Sequence, residues 1–307
     1  MEIPAYNDPR VETPMNETVP TVCGYRVRST PPALFRFGSL LNRLKLRGGY
    51  RLEALASRGC IIEYDLGDGF HLTVPIFRED NRFGRDDTLS YEARLLDVMR
   101  SAAGSMRDAT LIDCGADIGM ISVQLKRLIP AIGHVVAFEP NAEVLPFLNR
   151  NLSMLPCPTL MLGHAVGNIN GSGRLVRPAA DHSDHARFLT PDPKGSIRVI
   201  TIDSLGLTGD IIMKVDVEGA ECAVLEGALE TIRQAPRCVI SLEANPVVAE
   251  RTGRDPSEPL RLLASIRPFR FVVTCDADVW ELPSLDQSIF QPGTGKKVLN
   301  IVASAVV

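Results

Sequence analysis

The chain has 307 residues, 45% of them hydrophobic and 23% charged, with a formal net charge of −4. Such a composition belongs to a globular protein able to bury a sizeable core, and the acidic balance gives no electrostatic footprint for nucleic acid. The seven cysteines lack C-x-x-C spacing, no run approaches the roughly 18 apolar residues of a membrane span, and no basic-then-apolar leader opens the sequence. These features predict reduced cysteines and a cytoplasmic setting without a spanning helix.

Residues 1 to 33 hold six prolines among Asn, Thr and Glu, and read as an arm ordered only where it docks. From Leu34 the pattern turns helical. Leu34, Phe37, Leu41 and Leu44 share one face, with Arg36, Arg43, Lys45 and Arg47 spread among them. A basic amphipathic helix can lie on an anionic membrane; the expected use here is docking on the catalytic domain or on a second subunit. Cys60 to Leu66, the Gly67-Asp68-Gly69 turn and Phe70 to Ile76 read as a β-hairpin. After the polar stretch Arg78 to Asp87, either Asp87 or Thr88 caps a helix striped by Leu89, Leu96, Met99 and Ala103 and ended by Gly104. Tyr91 and Glu92 in its first turn could face a ligand, although first-turn polar groups usually serve the helix alone.

Thr110 to Met120 is the stretch around which the rest is arranged. Leu111, Ile112 and Asp113 close a short buried strand, Gly115 and Gly119 make a tight turn, and Met120 to Leu128 form the next helix. Glycine lets main-chain N–H groups approach a ligand, and the helix start aims further unpaired N–H groups the same way. The following strand, His134 to Phe138, ends in Glu139-Pro140-Asn141, which puts a carboxylate where the two hydroxyls of a ribose could be held. Two cofactors compete. A dinucleotide asks for G-x-G-x-x-G, whereas here the glycines are four apart with Asp117 between them and Asp113 before them. Two carboxylates repel a pyrophosphate but suit a cationic ligand such as S-adenosylmethionine.

A helix through Val144, Leu145, Leu148 and Leu152 follows, then a third strand from Thr159 to Val166, whose His164-Ala165-Val166 end could lie against an adenine. The Gly171-Ser172-Gly173 segment reads as a turn. Asp181-His182-Ser183-Asp184-His185 hints at a metal, yet without a second cluster a solvated loop is expected there, one that could touch the acceptor. Ser196 to Leu205 is a strand and turn, and Asp210 to Val217 is a fourth strand running into Glu218-Gly219-Ala220-Glu221 and a helix. A fifth strand, Arg237 to Leu242, ends in Glu243-Ala244-Asn245. A helix near Pro259 to Ile266 and strands Phe269 to Thr274 and Val298 to Val306 complete the chain. Strands alternating with helices predict an α/β fold with a mainly parallel sheet covered on both faces.

The segments Ile112 to Gly119, Ala137-Phe-Glu-Pro-Asn141 and Met213-Lys-Val-Asp-Val-Glu-Gly-Ala-Glu221, in that order, resemble the FkbM-type methyltransferases, which use S-adenosylmethionine. The likeness runs from about Thr88 to Val306 and divides the chain into a domain of residues 88 to 307 and an N-terminal part of residues 1 to 87. It implies a Rossmann-like class I methyltransferase fold, a seven-stranded sheet with an antiparallel last strand and helices on both faces. It also implies that Asp113, Gly115, Ala116, Asp117 and Gly119 face the amino-acid end of the cofactor, Glu139 and Pro140 its ribose, and Ala165 and Val166 its adenine. Asp117 stands where relatives often have Asn.

Methyl transfer from a sulfonium is an in-line displacement in which positive charge on sulfur disappears. Useful carboxylates therefore belong on the acceptor side, where a hydroxyl loses its proton. Lys214, Asp216 and Glu218 share parity along the fourth strand. Asp216 or Glu218 is the expected base, with Lys214 as an orienting group; acids at Glu218 and Glu221 could equally just offset a helix dipole. Asp216, Glu243 and Asn245 could hold a divalent ion by oxygen alone, but no metal is expected. The function expected is O-methylation of a sugar or other small natural product, with a small-molecule acceptor and a homo-oligomer formed through the N-terminal segment. The rivals are an NAD-dependent oxidoreductase, whose glycine pattern is missing, and a non-catalytic module, which would be expected to lose the cofactor residues.

Overall fold

A computed structural model describes residues 26–28, 33–44, 46–57, 60–75, 89–176, 187–285 and 297–306. Residues 1–25 and 29–32 of the proline-rich arm, the Arg78 to Asp87 stretch with its candidate caps, and the Asp181 to His185 segment lie outside the described residues.

The N-terminal part begins with Arg26–Arg28 (β1), then helices Ala33–Arg43 (α1) and Gly49–Ser57 (α2), then Cys60–Gly67 (β2) and Phe70–Pro75 (β3). β2 and β3 form the expected antiparallel hairpin around Asp68 and Gly69, and β1 adds to β2 in parallel. The predicted helix before the first sheet strand differs from expectation. It is interrupted at Tyr91 and Glu92 and restarts as Ala93–Ala102 (α3), with Glu92 in the left-handed region at φ 52°. That break turns both residues away from a regular first helical turn.

The alternating part then runs Ala109–Cys114 (β4), Met120–Leu128 (α4), Ile132–Phe138 (β5), Leu145–Ser153 (α5) and Thr159–Leu162 (β6). Ala165–Val166 (β7), Gly171–Val176 (β8), Phe188–Pro191 (β9) and Ile197–Ile200 (β10) follow. Next come Ile211–Val215 (β11), Glu221–Glu226 (α6), Leu229–Gln234 (α7), Cys238–Ala244 (β12), Pro246–Thr252 (α8) and Glu258–Ile266 (α9). Phe269–Cys275 (β13), Asp278–Leu282 (β14) and Leu299–Ala305 (β15) end the fold.

One sheet has the order β14-β13-β15-β12-β11-β4-β5-β6, parallel from β12 through β6, with β15 antiparallel to both of its neighbours. This is the class I methyltransferase arrangement, widened to eight strands because β14 folds back on β13 as a hairpin. Every residue of β4 and β11 is buried, as a parallel sheet covered on both faces requires. The period of two sorts their side chains. Leu111, Val135 and Ile212 face α3, α4 and α5, whereas Ile112, Val136 and Met213 face the layer holding Val224, Ile232 and Leu263.

Two further expectations change. The third strand splits: Thr159–Leu162 stays in the large sheet, while Ala165 and Val166 pair in parallel with Val199 and Ile200 in a second sheet ordered β7-β10-β8-β9. Gly171 to Gly173 belongs to strand β8 rather than to a turn. An unbroken apolar run carries no mark of where a chain leaves one sheet for another, which is why the split was not legible.

The chain proceeds from β4 to β5 and β6 on one side and returns to β11 and β12 on the other, so the carboxyl end of β4 is a topological switch point, where α/β sheets bind ligands. The N-terminal hairpin is fastened beside it by Asn151, fully buried on α5. Its side chain accepts from the Thr73 N–H at 2.7 Å and donates to the carbonyls of Thr73 at 3.0 Å and Ile118 at 2.7 Å. Asn151→Leu leaves three buried backbone groups unpaired, and urea unfolding is expected to show a loss of about 3 kcal/mol.

Candidate active site

The turn after β4 is set by backbone packing. The N–H groups of Gly115 and Ala116 both donate to the Phe138 carbonyl at 3.0 Å, drawing the ends of β4 and β5 together. On the other side, a Cβ at Gly115, whose φ is 80°, would lie 1.9 Å from the carbonyl oxygen of Asp216. Only glycine fits that approach. Gly119, at φ 82°, is needed for a different reason: a Cβ there would meet Leu148 Cδ1 at 2.9 Å, where α4 starts against α5.

Above this turn lies a cavity of about 520 Å³. Of the residues singled out from the sequence, Gly115, Ala116, Asp117, Glu139, Pro140, Ala165, Val166, Lys214, Asp216 and Glu218 all line it. Asp113 and Gly119 do not. Asp113 is fully buried beneath the turn, where its Oδ2 accepts from Ser122 Oγ at 2.6 Å.

The cavity has two chemically different halves. In one, Glu139 is 8% exposed, with Oε2 accepting from the Asp117 N–H at 2.9 Å and Oε1 from the Asn141 N–H at 2.8 Å. Burial pushes its carboxyl up to about 7, opposed by the Asn141 N–H and assisted by the Asp117 carboxylate. Ala165, Val166, Leu175 and Leu189 supply an apolar wall on that side. Arg187 closes it, donating to Asn141 Oδ1 at 2.9 Å and Glu143 Oε2 at 2.7 Å.

The other half is acidic. Lys214 Nζ donates to the Gly115 carbonyl at 2.9 Å and lies 3.1 Å from Asp216 Oδ2 and 3.5 Å from Asp113 Oδ1. Burial, the largest influence, pushes the ammonium down, but Asp216 and Asp113 together outweigh it and hold Lys214 above the ordinary lysine range. Around it stand Tyr91, Glu92, Glu218, Ser241, Glu243 and Asn300. Burial raises Glu243 to about 8, with Asp216 and then Glu218 adding to the effect. Glu92 is raised by burial and by Asp216, and its Oε2 accepts from Asn300 Nδ2 at 2.6 Å. The Tyr91 phenol is likewise lifted, by burial first and Glu92 next.

Glu218 sits in the turn before α6 at φ 56°, not in the helix; Glu221 opens the helix, and its Oε1 accepts from the Gly219 N–H at 3.0 Å. Asn245 is occupied elsewhere. Its Oδ1 caps α8 by accepting from the Val247 N–H at 3.0 Å, and its Nδ2 donates to Glu243 Oε1 at 3.2 Å. The divalent-ion reading thereby loses that oxygen, and among the described residues no group of three or more His, Cys, Asp or Glu could hold a metal. Sequence reasoning missed the sites of Ser241, Asn300 and Arg187 and gave Glu243 no acid–base role. For Ser241 a signal existed, since it pairs in register with Lys214 across β11 and β12.

A family described as Methyltransferase FkbM domain matches residues 113–271. Hexuronic acid methyltransferase AglP of Haloferax volcanii is 25% identical over 165 residues, 52% of this chain and 63% of that protein, so the chain spans under two thirds of the curated relative it matches. Among solved structures, TYW2 of M. jannaschii in complex with AdoMet is 13% identical with a TM-score of 0.39, over 80% of this chain and 84% of that one. Precorrin-6y C5,15-methyltransferase of Geobacter metallireducens is 16% identical with a TM-score of 0.35, over 68% of this chain and 88% of that one.

The raised acid has a consequence for stability. Between its unfolded value near 4.5 and its folded value of about 8, Glu243 binds a proton in the native state that the unfolded chain has lost. Its contribution is full below the lower value and disappears as pH rises through the upper one. Urea unfolding at pH 6 and pH 9 is expected to show Glu243→Gln stabilising the protein at the higher pH, by on the order of 1 kcal/mol relative to its effect at the lower.

Proposed function

Because the chain belongs to the FkbM methyltransferase family, whose methyl donor is S-adenosylmethionine, we propose that it methylates a hydroxyl of a sugar or another small natural product. The observation that carries this reading is the division of one cavity into a half suited to a nucleoside and a half crowded with carboxylates. The named relative acts on a hexuronic acid, which offers both hydroxyls and a carboxylate. A carboxylate acceptor needs no base, and the half lined by Glu92, Asp216, Glu218 and Glu243 offers it no cation beyond the already paired Lys214. A hydroxyl must lose a proton, and here has acceptors for it.

Residues present fit the donor. Gly115 lets the turn pack against the Asp216 carbonyl at the edge of the cavity, the oxygens of Glu139 are fixed by two backbone N–H groups and can accept from two ribose hydroxyls, and Ala165 and Val166 form a small apolar wall for a flat base. Gly115, Ala116 and Asp117 border the space for the amino-acid end, while Asp113 and Gly119 act from behind the surface. When bound, S-adenosylmethionine supplies a methyl group on positively charged sulfur.

The chain's own residues do the rest. Lys214 fixes Asp216 at the strand tip through the 3.1 Å contact. The acceptor hydroxyl is oriented by Asp216 and gives up its proton to the carboxylates beside it. Glu243, raised to about 8, is the stronger base of the set, and Glu218 faces the same space. Holding the oxygen in line contributes most of the acceleration, so a displaced Lys214 should be felt at the reacting atoms.

Five measurements test this. S-adenosylhomocysteine should bind in a calorimetric titration and NAD should not; heat with NAD alone would end the proposal. Glu139→Ala is expected to weaken that binding by about 1–3 kcal/mol, with affinity in the intact protein falling as pH drops below about 7, where the carboxylate takes up a proton. Incubation with labelled donor and a panel of glycosides should give a base-stable ether; a base-labile methyl ester would contradict hydroxyl transfer. With the acceptor so found, Asp216→Asn is expected to lower kcat by about 10²–10⁴, and turnover should climb toward about pH 8 in the intact protein but not in Glu243→Gln.

A further inference from the structure

Helix α1 is folded with the wrong face inward for a simple packing element. Phe35 and Gly38 are buried, while Leu34, Phe37, Leu40 and Leu44 are 41%, 53%, 50% and 60% exposed, with Leu46 and Leu55 at 53% and 54%. These six are half of the twelve exposed large hydrophobic residues among the described residues, gathered within one helix pair. Scattered apolar residues are normal on a protein surface, but four at i, i+3, i+6 and i+10 of one helix form a continuous stripe.

The charge around the stripe identifies its occupant. Residues 33 to 57 contain Arg36, Arg43, Lys45, Arg47 and Arg51 against the single acid Glu53, in a chain whose net charge is −4. Arg36, Arg47 and Arg51 are exposed. We propose that α1 and the segment leading into α2 form a docking face for an anionic lipid bilayer, with Leu34, Phe37, Leu40 and Leu44 at the acyl boundary and the arginines at lipid phosphates. Leucine, phenylalanine and arginine together, with no acid in the first turn of α1, are the composition of an interfacial helix. Two copies meeting face to face through this patch would bring like charges together, which disfavours a self-interface.

The patch and the cavity share a scaffold. α2 rests on β2, β2 pairs with β3, and β3 contributes Val74 to the cavity lining. Docking through α1 therefore holds the cavity at a fixed distance from the lipid surface, which suits an acceptor presented there. The inference does not depend on the acceptor reading.

Sedimentation of the full chain with vesicles tests it. Binding to phosphatidylcholine vesicles containing phosphatidylglycerol is expected to exceed binding to phosphatidylcholine alone by about tenfold or more, and to fall as salt is raised. The double variant Phe37→Glu/Leu40→Glu should abolish sedimentation, and Arg36→Glu/Arg47→Glu should remove the preference for anionic lipid, both with unchanged melting temperatures because these side chains are exposed. Equal sedimentation of intact protein and variants, or none of the intact protein on anionic vesicles, overturns the proposal. So does a dimer in solution that Phe37→Glu/Leu40→Glu dissociates, because the stripe is then a self-interface.

Discussion

A single buried ammonium ties the two halves of the cavity together. Lys214 reaches from β11 to the Gly115 carbonyl at 2.9 Å, to Asp113 beneath the turn at 3.5 Å and to Asp216 at the rim at 3.1 Å. A buried cation is tolerable only when it is paired and its donors are used, and removing one partner leaves an uncompensated charge. The glycine turn, the acid below it and the acid above it are therefore fixed relative to one another. The same closeness of β4 and β11 leaves no room for a side chain at position 115. The glycine turn and the rim carboxylate are thus positioned by one interaction rather than by two independent ones.

The acids differ because their neighbours differ. Asp216 sits beside the ammonium; Glu243, one strand away, has burial and two carboxylates acting on it and is lifted to about 8. Like charges crowded into one pocket make a buried carboxyl among them hold its proton to higher pH, as Glu243 does. An oriented carboxylate next to a stronger base is a useful pair for deprotonating a hydroxyl. Asn300 and Glu92 extend the same network to β15 and to the start of α3, so the acidic half is braced from three directions.

Much of this was legible in the sequence. Apolar runs marked β4, β5, β11 and β12; Lys214 and Asp216, of one parity, both line the cavity, joined by Glu218 from the turn beyond the strand. Asp113 was not legible in the same way: an acid at a strand end reads as ligand-facing, and only the three-dimensional packing of Ser122 and Lys214 shows it turned beneath the turn. Tyr91 and Glu92 could not be placed because the helix break that redirects them has no Gly or Pro to announce it. The stripe of α1 was visible, yet periodicity reports that a helix has an apolar face and says nothing about what covers it. In the fold, Phe35 rather than Phe37 points inward.

The division between shared and particular parts follows the cavity. Gly115, Asp117, Glu139, Ala165 and Val166 all fall inside residues 113–271, the span matched by the family. Val74, Tyr91, Glu92 and Asn300, which also line the cavity, fall outside it. A donor common to a family needs one geometry, whereas acceptors vary, so the residues that select an acceptor should come from segments the family does not hold in common. The Glu92–Asn300 hydrogen bond joins two such segments, one before and one after the matched span, in the lining of the same cavity. Among the described residues, the hairpin through Val74, the start of α3 through Tyr91 and Glu92, and β15 through Asn300 are therefore where differences in acceptor between relatives should be sought.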